Sequence, residues 1–290
     1  MSVSVAPVPL PRRLASLVRI EHTVFALPFA YVGAFLAADG WPGLANVAWV
    51  TVAMIGARTL AMALNRLVDA ELDARNPRTA SRELPSGTLS RVQVLGLCGA
   101  ALIVFLVAVS QLDPIVRWLW PIPVVMFVVY PYLKRLTWLC HFWLGACLAL
   151  APIGAWLAVS GTAPWEAWAI GGAVLLWVAG FDLFYSLFDL EHDRSEGLHS
   201  WAARFGERGV FRGARALHTG AVALFAIAGF GLELGVLYWL GVVATTALLA
   251  YEHSIVRPGD LRRLDSAFFT LNGVISVVYF AFVALDVLVS

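Results

Sequence analysis

The sequence predicts an all-α integral membrane protein, one domain over residues 1–290 built as a bundle of about nine transmembrane helices. Three observations carry this expectation. Hydrophobic residues make up 60% of the chain and charged residues only 13%, where a soluble domain carries roughly 25% charged residues. Mean hydropathy is +0.80. The apolar residues gather into stretches of spanning length, and at roughly 20 residues per span the chain accommodates about nine.

Taken in order, residues 1–20 carry Pro7, Pro9, Pro11, Arg12, Arg13 and Arg19 without the apolar run and small-residue cleavage site of a secretory signal, so they read as a cytosolic lead-in. Spans follow at approximately 22–38, 46–68, 92–111, 114–132, 138–159, 166–188, 213–232, 234–251 and 266–288. The connections near 39–45, 112–113, 160–165 and 233 are short, whereas those near 69–91, 133–137, 189–212 and 252–265 are charged. Of the 20 Lys and Arg residues, Arg58 lies inside a span, Arg117 belongs to a short loop, and the other eighteen fall at the N-terminus or in and beside the charged loops. Positive charge marks the cytosolic face, so the N-terminus and the four charged loops are expected there, in the inner (plasma) membrane, with the C-terminus outside. Trp41, Trp49, Trp118, Trp120, Trp165, Trp168 and Trp239 cluster near the opposite ends, either as an interfacial belt or as packing residues. Cys98, Cys140 and Cys147 stand inside apolar runs with no CxxC pair, which argues for small core residues rather than zinc ligands or disulfides.

Against this background "LNRLVDAELDARNPRTASRELPSG" is out of place. Asn65, Asp69 and Asp73 recur every four residues, so on a helix they form one polar stripe about 12 Å long, with Arg58 on the same stripe. A second stripe, Asp182, Tyr185, Asp189 and Asp193, runs through "GFDLFYSLFDLEHDRSEGLHS", and Asp189 and Asp193 each follow Asp69 and Asp73 by 120 residues. The predicted topology puts both motifs at cytosolic helix C-termini, where the helix dipole already disfavours carboxylates. Something positive must compensate. Mg²⁺ takes oxygen ligands and is commonly held by one or two carboxylates plus substrate phosphates, so two DxxxD arms suit Mg²⁺ bridging to a diphosphate. Arg75, Arg78 and Arg82 after the first motif, Lys134 and Arg135 in the next charged loop, and Arg194 and Arg204 after the second are placed to close over phosphate oxygens, or simply mark the cytosolic side. His141 reads as a loop cap before a substrate contact, His192, His199 and His253 have no ligand spacing, and Asn272 reads as an interhelical hydrogen bond.

The N-x-x-x-D-x-x-x-D of "NRLVDAELD", the downstream "RTASRELPSG", the Y-x-x-x-K of "YPYLK" and the second D-x-x-x-D after a Tyr together resemble the UbiA-type intramembrane prenyltransferase superfamily, typified by 4-hydroxybenzoate polyprenyltransferases. The likeness runs from about Arg19 to the last span. It implies a helical bundle around a central cavity, with a polyprenyl diphosphate as donor, Mg²⁺ as cofactor, and the prenyl tail in a tunnel open to the lipid bilayer. It implies metal roles for Asp69, Asp73, Asp189 and Asp193, with Asn65 in the first motif, and a diphosphate contact for Lys134, paired with Tyr130 in its motif. Arg58 matches an arginine near the acceptor carboxylate in the hydroxybenzoate enzymes. The chain departs from that pattern in "NRLVDAELD" after the Asn and in "RIEHTVFALPFA", which replaces a Lys-Pro turn. The segments "EHTVFALPFAYVGAFLA", "RTASRELPSG", "GLHSWAARFG" and "YEHSIVRPGDLRRLDSAFFTLNG" look most similar to the branch serving menaquinone synthesis by the futalosine route, whose acceptor would be a dihydroxynaphthoate.

The expected activity is therefore Mg²⁺-dependent prenyl transfer to an aromatic acid in ubiquinone or menaquinone biosynthesis. Lys134 would neutralise the leaving diphosphate, Asp182 is the deep carboxylate placed to orient or deprotonate an acceptor hydroxyl, and Tyr185 either stabilises an allylic cation or packs. A haem, chlorophyllide or lipid acceptor is the alternative within the superfamily. A transporter would spread its polar residues across the membrane, whereas here the acids crowd one face. No nucleic-acid or obligatory protein partner is expected.

Overall fold

The computed structural model describes residues 9–18, 26–257, 259 and 270–290. Residues 1–8, 19 and 20 of the expected lead-in, the starts of the first and last expected spans, and most of 258–265 lie outside the described residues.

The described residues are helical nearly throughout. A short amphipathic helix, α1 (Leu10–Val18), is followed by α2 (Leu27–Ala38) and the 32-residue α3 (Leu44–Arg75). Next come α4 (Arg91–Ser110), the single turn α5 (Val116–Leu119), α6 (Pro121–Leu133), α7 (Cys140–Ser160) and α8 (Trp165–Tyr185). A 3-10 turn over Ser186–Asp189 leads into α9 (Leu190–Ser195), and then α10 (Trp201–Gly231), α11 (Val236–Ile255) and α12 (Asn272–Val289) complete the chain. Among the described residues seven helical segments are long and apolar enough to cross a membrane, counting α5–α6 and α8–α9 as one each; α2, a shorter apolar helix, and α11 stand at the places of the two remaining expected spans without meeting that measure. The protein is a multi-pass membrane protein.

Two boundaries differ from the sequence expectation. The connection expected over 189–212 is largely helical, because Ser200 caps α10 by accepting from the Ala203 N–H at 3.2 Å, ahead of Trp201. Gly206 breaks that helix at φ 67, ψ 179, a backbone conformation a side chain would oppose. Also, α3 is about 48 Å long by its residue count, well beyond a hydrocarbon core of about 30 Å. Its last turns therefore stand clear of the apolar layer while remaining helical.

The bundle is centred on α8, which packs most extensively on α7 and α10. Small residues let these axes approach: a Cβ at Gly145 would run into the Leu175 carbonyl, and one at Gly33 into that of Pro152. An aromatic core of Phe29, Trp177, Phe225 and Tyr279 fills the space between α2, α8, α10 and α12. Two side-chain hydrogen bonds link the helices around it. Trp177 Nε1 donates to Asn272 Oδ1 at 3.0 Å and Asn272 Nδ2 to Glu252 Oε1 at 3.2 Å, so Asn272 makes the interhelical bonds expected of it. Trp41, Trp118, Trp165 and Trp168 are all exposed on the surface, which favours the interfacial belt over packing for these four.

At the far end from the charged loops, buried Asp286 of α12 accepts from the Gly235 N–H at 2.8 Å and the Tyr238 N–H at 3.1 Å, capping α11 from another helix. Asp286→Ala strands both donors and should destabilise the bundle by about 2 kcal/mol. An unchanged thermal unfolding midpoint in detergent would refute that role.

Candidate active site

A cavity of about 780 Å³ opens between α3, α6, α7 and α8, with α2 and α4 closing its sides. Its walls toward the far end are apolar, mixing small residues such as Ala57, Ala151 and Gly154 with large ones such as Phe105, Trp120 and Leu157. Its other end is polar. The projecting turns of α3 place Asn65, Asp69 and Asp73 there, with Asn76 and Arg78 from the loop that follows, and α8 and the 3-10 turn add Asp182, Tyr185 and Asp189. The two motifs therefore meet at one end of one cavity, although the second does not lie on a continuous α-helix. The 3-10 turn separates Asp182 and Tyr185 from Asp189 and Asp193.

All four motif aspartates pair with a cation of the protein. Asp69 Oδ1 accepts from Arg135 Nη2 at 2.9 Å, and Asn65 Nδ2 donates to Asp69 Oδ2 at 3.1 Å. Arg82 Nη1 reaches both oxygens of buried Asp73 at 2.7 and 2.8 Å, with Arg66 a further 3.9 Å ion pair. Asp189 is held by a fork: Arg78 Nε at 3.0 Å and Nη2 at 2.5 Å, with Asn76 Nδ2 at 2.9 Å. Asp193, fully buried, forms an ion pair with Lys134 Nζ, 2.8 Å from Oδ1. Burial works against the charge on Lys134, but Asp193, with Asp189 beyond it, outweighs that and holds the ammonium above the ordinary lysine value. For Arg78, burial likewise opposes the charge and Asp189 and Tyr185 more than restore it.

The expected site residues are not all brought together. The four aspartates do not converge as they stand: among the described residues no three His, Cys, Asp or Glu side chains are grouped to hold a metal. Like charges without a counter-ion stay apart, and each has found an arginine or lysine instead. Asp193 faces Lys134 and does not line the cavity. Arg75 lies outside the cavity in an exposed pair with Glu196 at 2.7 Å, and Arg194 is exposed and bonds the Ala203 carbonyl. By contrast Arg58, Asn65, Arg78, Arg82, Tyr130, Lys134, Asp182 and Tyr185 all line the cavity. Arg78 Nη1 also donates to Tyr185 OH at 3.1 Å, and its guanidinium lies 5.4 Å from the Tyr185 ring centre. Nε of Arg58 is buried in the cavity wall with no hydrogen-bond partner among the described residues.

Sequence reasoning missed Asn76 and the role of His141. Asn76 ends α3 and bonds Asp189 across 113 residues. His141 is buried, with Nδ1 2.6 Å from Asp182 Oδ2, rather than capping its loop. The only local hint was a titratable residue placed one residue into an apolar helix.

A head of paired carboxylates and cations on an otherwise apolar cavity is the arrangement an intramembrane enzyme would use. The model of the UbiA prenyltransferase family matches residues 26–274, and the chain belongs to that family. Among its relatives, a 4-hydroxybenzoate octaprenyltransferase of Marinobacter nauticus is 30% identical over 264 residues, 89% of each chain. One from Aliivibrio fischeri is 28% identical over 93% of this chain and 92% of its own. An apo structure of a UbiA homolog from Aeropyrum pernix K1 superposes with a TM-score of 0.85 at 34% identity, over 93% of this chain and 99% of that one. A UbiA homolog from Archaeoglobus fulgidus bound to DMAPP and Mg²⁺ shares the fold at 19% identity and a TM-score of 0.74, over 95% and 99%.

Proposed function

We propose that this prenyltransferase moves a polyprenyl group from its allylic diphosphate to an aromatic acid of the hydroxybenzoate or dihydroxynaphthoate type, serving ubiquinone or menaquinone synthesis from the cytosolic side of the plasma membrane. The observation that carries the acceptor class is Arg58: a guanidinium at the cavity wall with a buried, unsatisfied Nε suits a carboxylate brought by the substrate. The names of the relatives support the same acceptor chemistry.

The donor set fits Mg²⁺. Asp69, Asp73 and Asp189 offer hard oxygens around one cavity end, and Mg²⁺ is usually completed by substrate phosphates and water rather than by an all-protein cage. These three would hold it, with Asp193 joining only if Lys134 releases it. When bound, Mg²⁺ supplies Lewis-acid stabilisation of the departing diphosphate. Arg78, Arg82, Arg135 and Lys134, now on the carboxylates, are the cations available to phosphate oxygens. The apolar walls take the prenyl chain and keep water from the allylic carbon. Asp182 receives the acceptor's proton, and the Tyr185 ring, already facing the Arg78 guanidinium, presents the same π-face to positive charge in the cavity.

The test is a membrane assay with radiolabelled farnesyl diphosphate, with and without Mg²⁺, against 4-hydroxybenzoate and dihydroxynaphthoates. Metal-dependent product with one of these acceptors is expected; none with any aromatic acid overturns the reading. In the same assay Arg58→Ala should raise the acceptor KM about 10- to 100-fold, the worth of one charged hydrogen-bonded pair, and leave the diphosphate KM alone. Equal effects on both substrates would remove Arg58 from the acceptor site.

A further inference from the structure

Beyond the family motifs, His141 connects three helices at the cavity. It is buried at the start of α7, its Nδ1 lies 2.6 Å from Oδ2 of Asp182 on α8, and its Nε2 lies 3.2 Å from the backbone nitrogen of Trp201, the first residue of α10. These contacts decide the tautomer. The Trp201 N–H is only ever a donor, so Nε2 must accept and carries no proton. The neutral ring then keeps its proton on Nδ1, which donates to Asp182. Asp182 Oδ1 has no hydrogen-bond partner among the described residues, while both residues line the cavity. The order is therefore backbone N–H, imidazole, carboxylate, cavity.

We propose that His141 is a positioning residue: anchored by the Trp201 N–H, it orients the Asp182 side chain, with Oδ2 tied down and Oδ1 left for the acceptor. This rests on the reading of Asp182 as the group that takes the acceptor's proton. In that step the prenyl C–O bond breaks with its electron pair leaving on the diphosphate, and a ring electron pair forms the new C–C bond. The ring C–H pair returns to the ring as its proton passes to Oδ1. A carboxylate free to rotate in an apolar wall would meet that proton in the right geometry only part of the time, and misplacement of about 1 Å can cost about 10²-fold. The anchor also makes the site depend on the start of α10. Trp201 lies just beyond "GLHS", and the neighbouring His199 N–H donates to the Lys134 carbonyl at 2.8 Å. The same short segment thus touches the loop carrying the diphosphate-side lysine and the residue that orients the acceptor-side carboxylate.

Three variants in the full-length protein test the proposal: His141→Leu, His141→Asn and Asp182→Asn. His141→Leu removes the donor and should lower kcat for acceptor prenylation at least about 10-fold, with the diphosphate KM within twofold of the parent. His141→Asn can place an N–H near the Nδ1 position and should recover most of that loss. Parent-like kcat in His141→Leu overturns the proposal, and so does His141→Asn as slow as His141→Leu while both unfold at the same temperature, since volume rather than the donor would then matter. If His141→Leu fails to fold, the Asn variant against parent decides alone, and a kcat reduced to the level of Asp182→Asn overturns the donor role. Full activity in Asp182→Asn would instead sink the underlying reading of Asp182, so the two failures are distinguishable.

Discussion

Asp189→Asn should lower prenyl transfer about 10²- to 10³-fold while leaving the helical bundle folded. Asp189 accepts from Asn76 and twice from Arg78, and it lines the cavity where α3 and the 3-10 turn meet. Asparagine has nearly the same shape and retains one acceptor oxygen, so the local packing survives. What disappears is the negative charge. Arg78 is then free to swing from its place, and an oxygen ligand of the proposed metal-diphosphate site becomes an amide. Initial rates with labelled diphosphate, alongside helical content by circular dichroism, measure both halves. A rate within threefold of the parent would remove Asp189 from the site, whatever the sequence motif suggests.

Lys134→Met is expected to cost about 3 kcal/mol of stability, the lower end of what stranding one partner of a buried ion pair costs, because Lys134 itself is 35% exposed. Asp193 has no exposed surface and no other cation pairs with it among the described residues, so its charge is left without compensation. The double variant Lys134→Met with Asp193→Asn should recover most of that stability, since no lone charge remains. It should not recover activity, because the diphosphate would still lack the lysine. Thermal midpoints and rates on the two variants separate these effects. A double variant no more stable than the single would show that Lys134→Met acts elsewhere, and one with restored turnover would remove Lys134 from catalysis.

Both expectations depend on features of very different legibility. Asn65, Asp69 and Asp73 could be placed on one helical stripe because α-helical period is local, and α3 does remain helical through Arg75. Asp182 and Asp189 were equally visible as carboxylates in an apolar stretch, but the 3-10 turn between Tyr185 and Leu190 was not. That turn costs nothing in composition and depends on how α8 meets α9 and α10. The cations were legible as a class and not as partners. Arg75 and Arg78 stand three residues apart, yet one pairs at the surface with Glu196 and the other grips Asp189 in the cavity.

By itself the sequence determined the membrane bundle, most of its spans, the crowding of charge at one end and which carboxylates stand out in an apolar chain. Hydropathy and helical period are properties of short windows, and a membrane solvent enforces them strongly because unpaired backbone and stray charge are both costly in lipid. Only the tertiary structure decided which cation holds which carboxylate, that Asp193 sits behind Lys134, and that His141 presents Nδ1 to Asp182. Those choices join residues as far apart as Arg78 and Asp189, separated by 111 positions. They are made by the angle and depth at which helices pack, which no local pattern records.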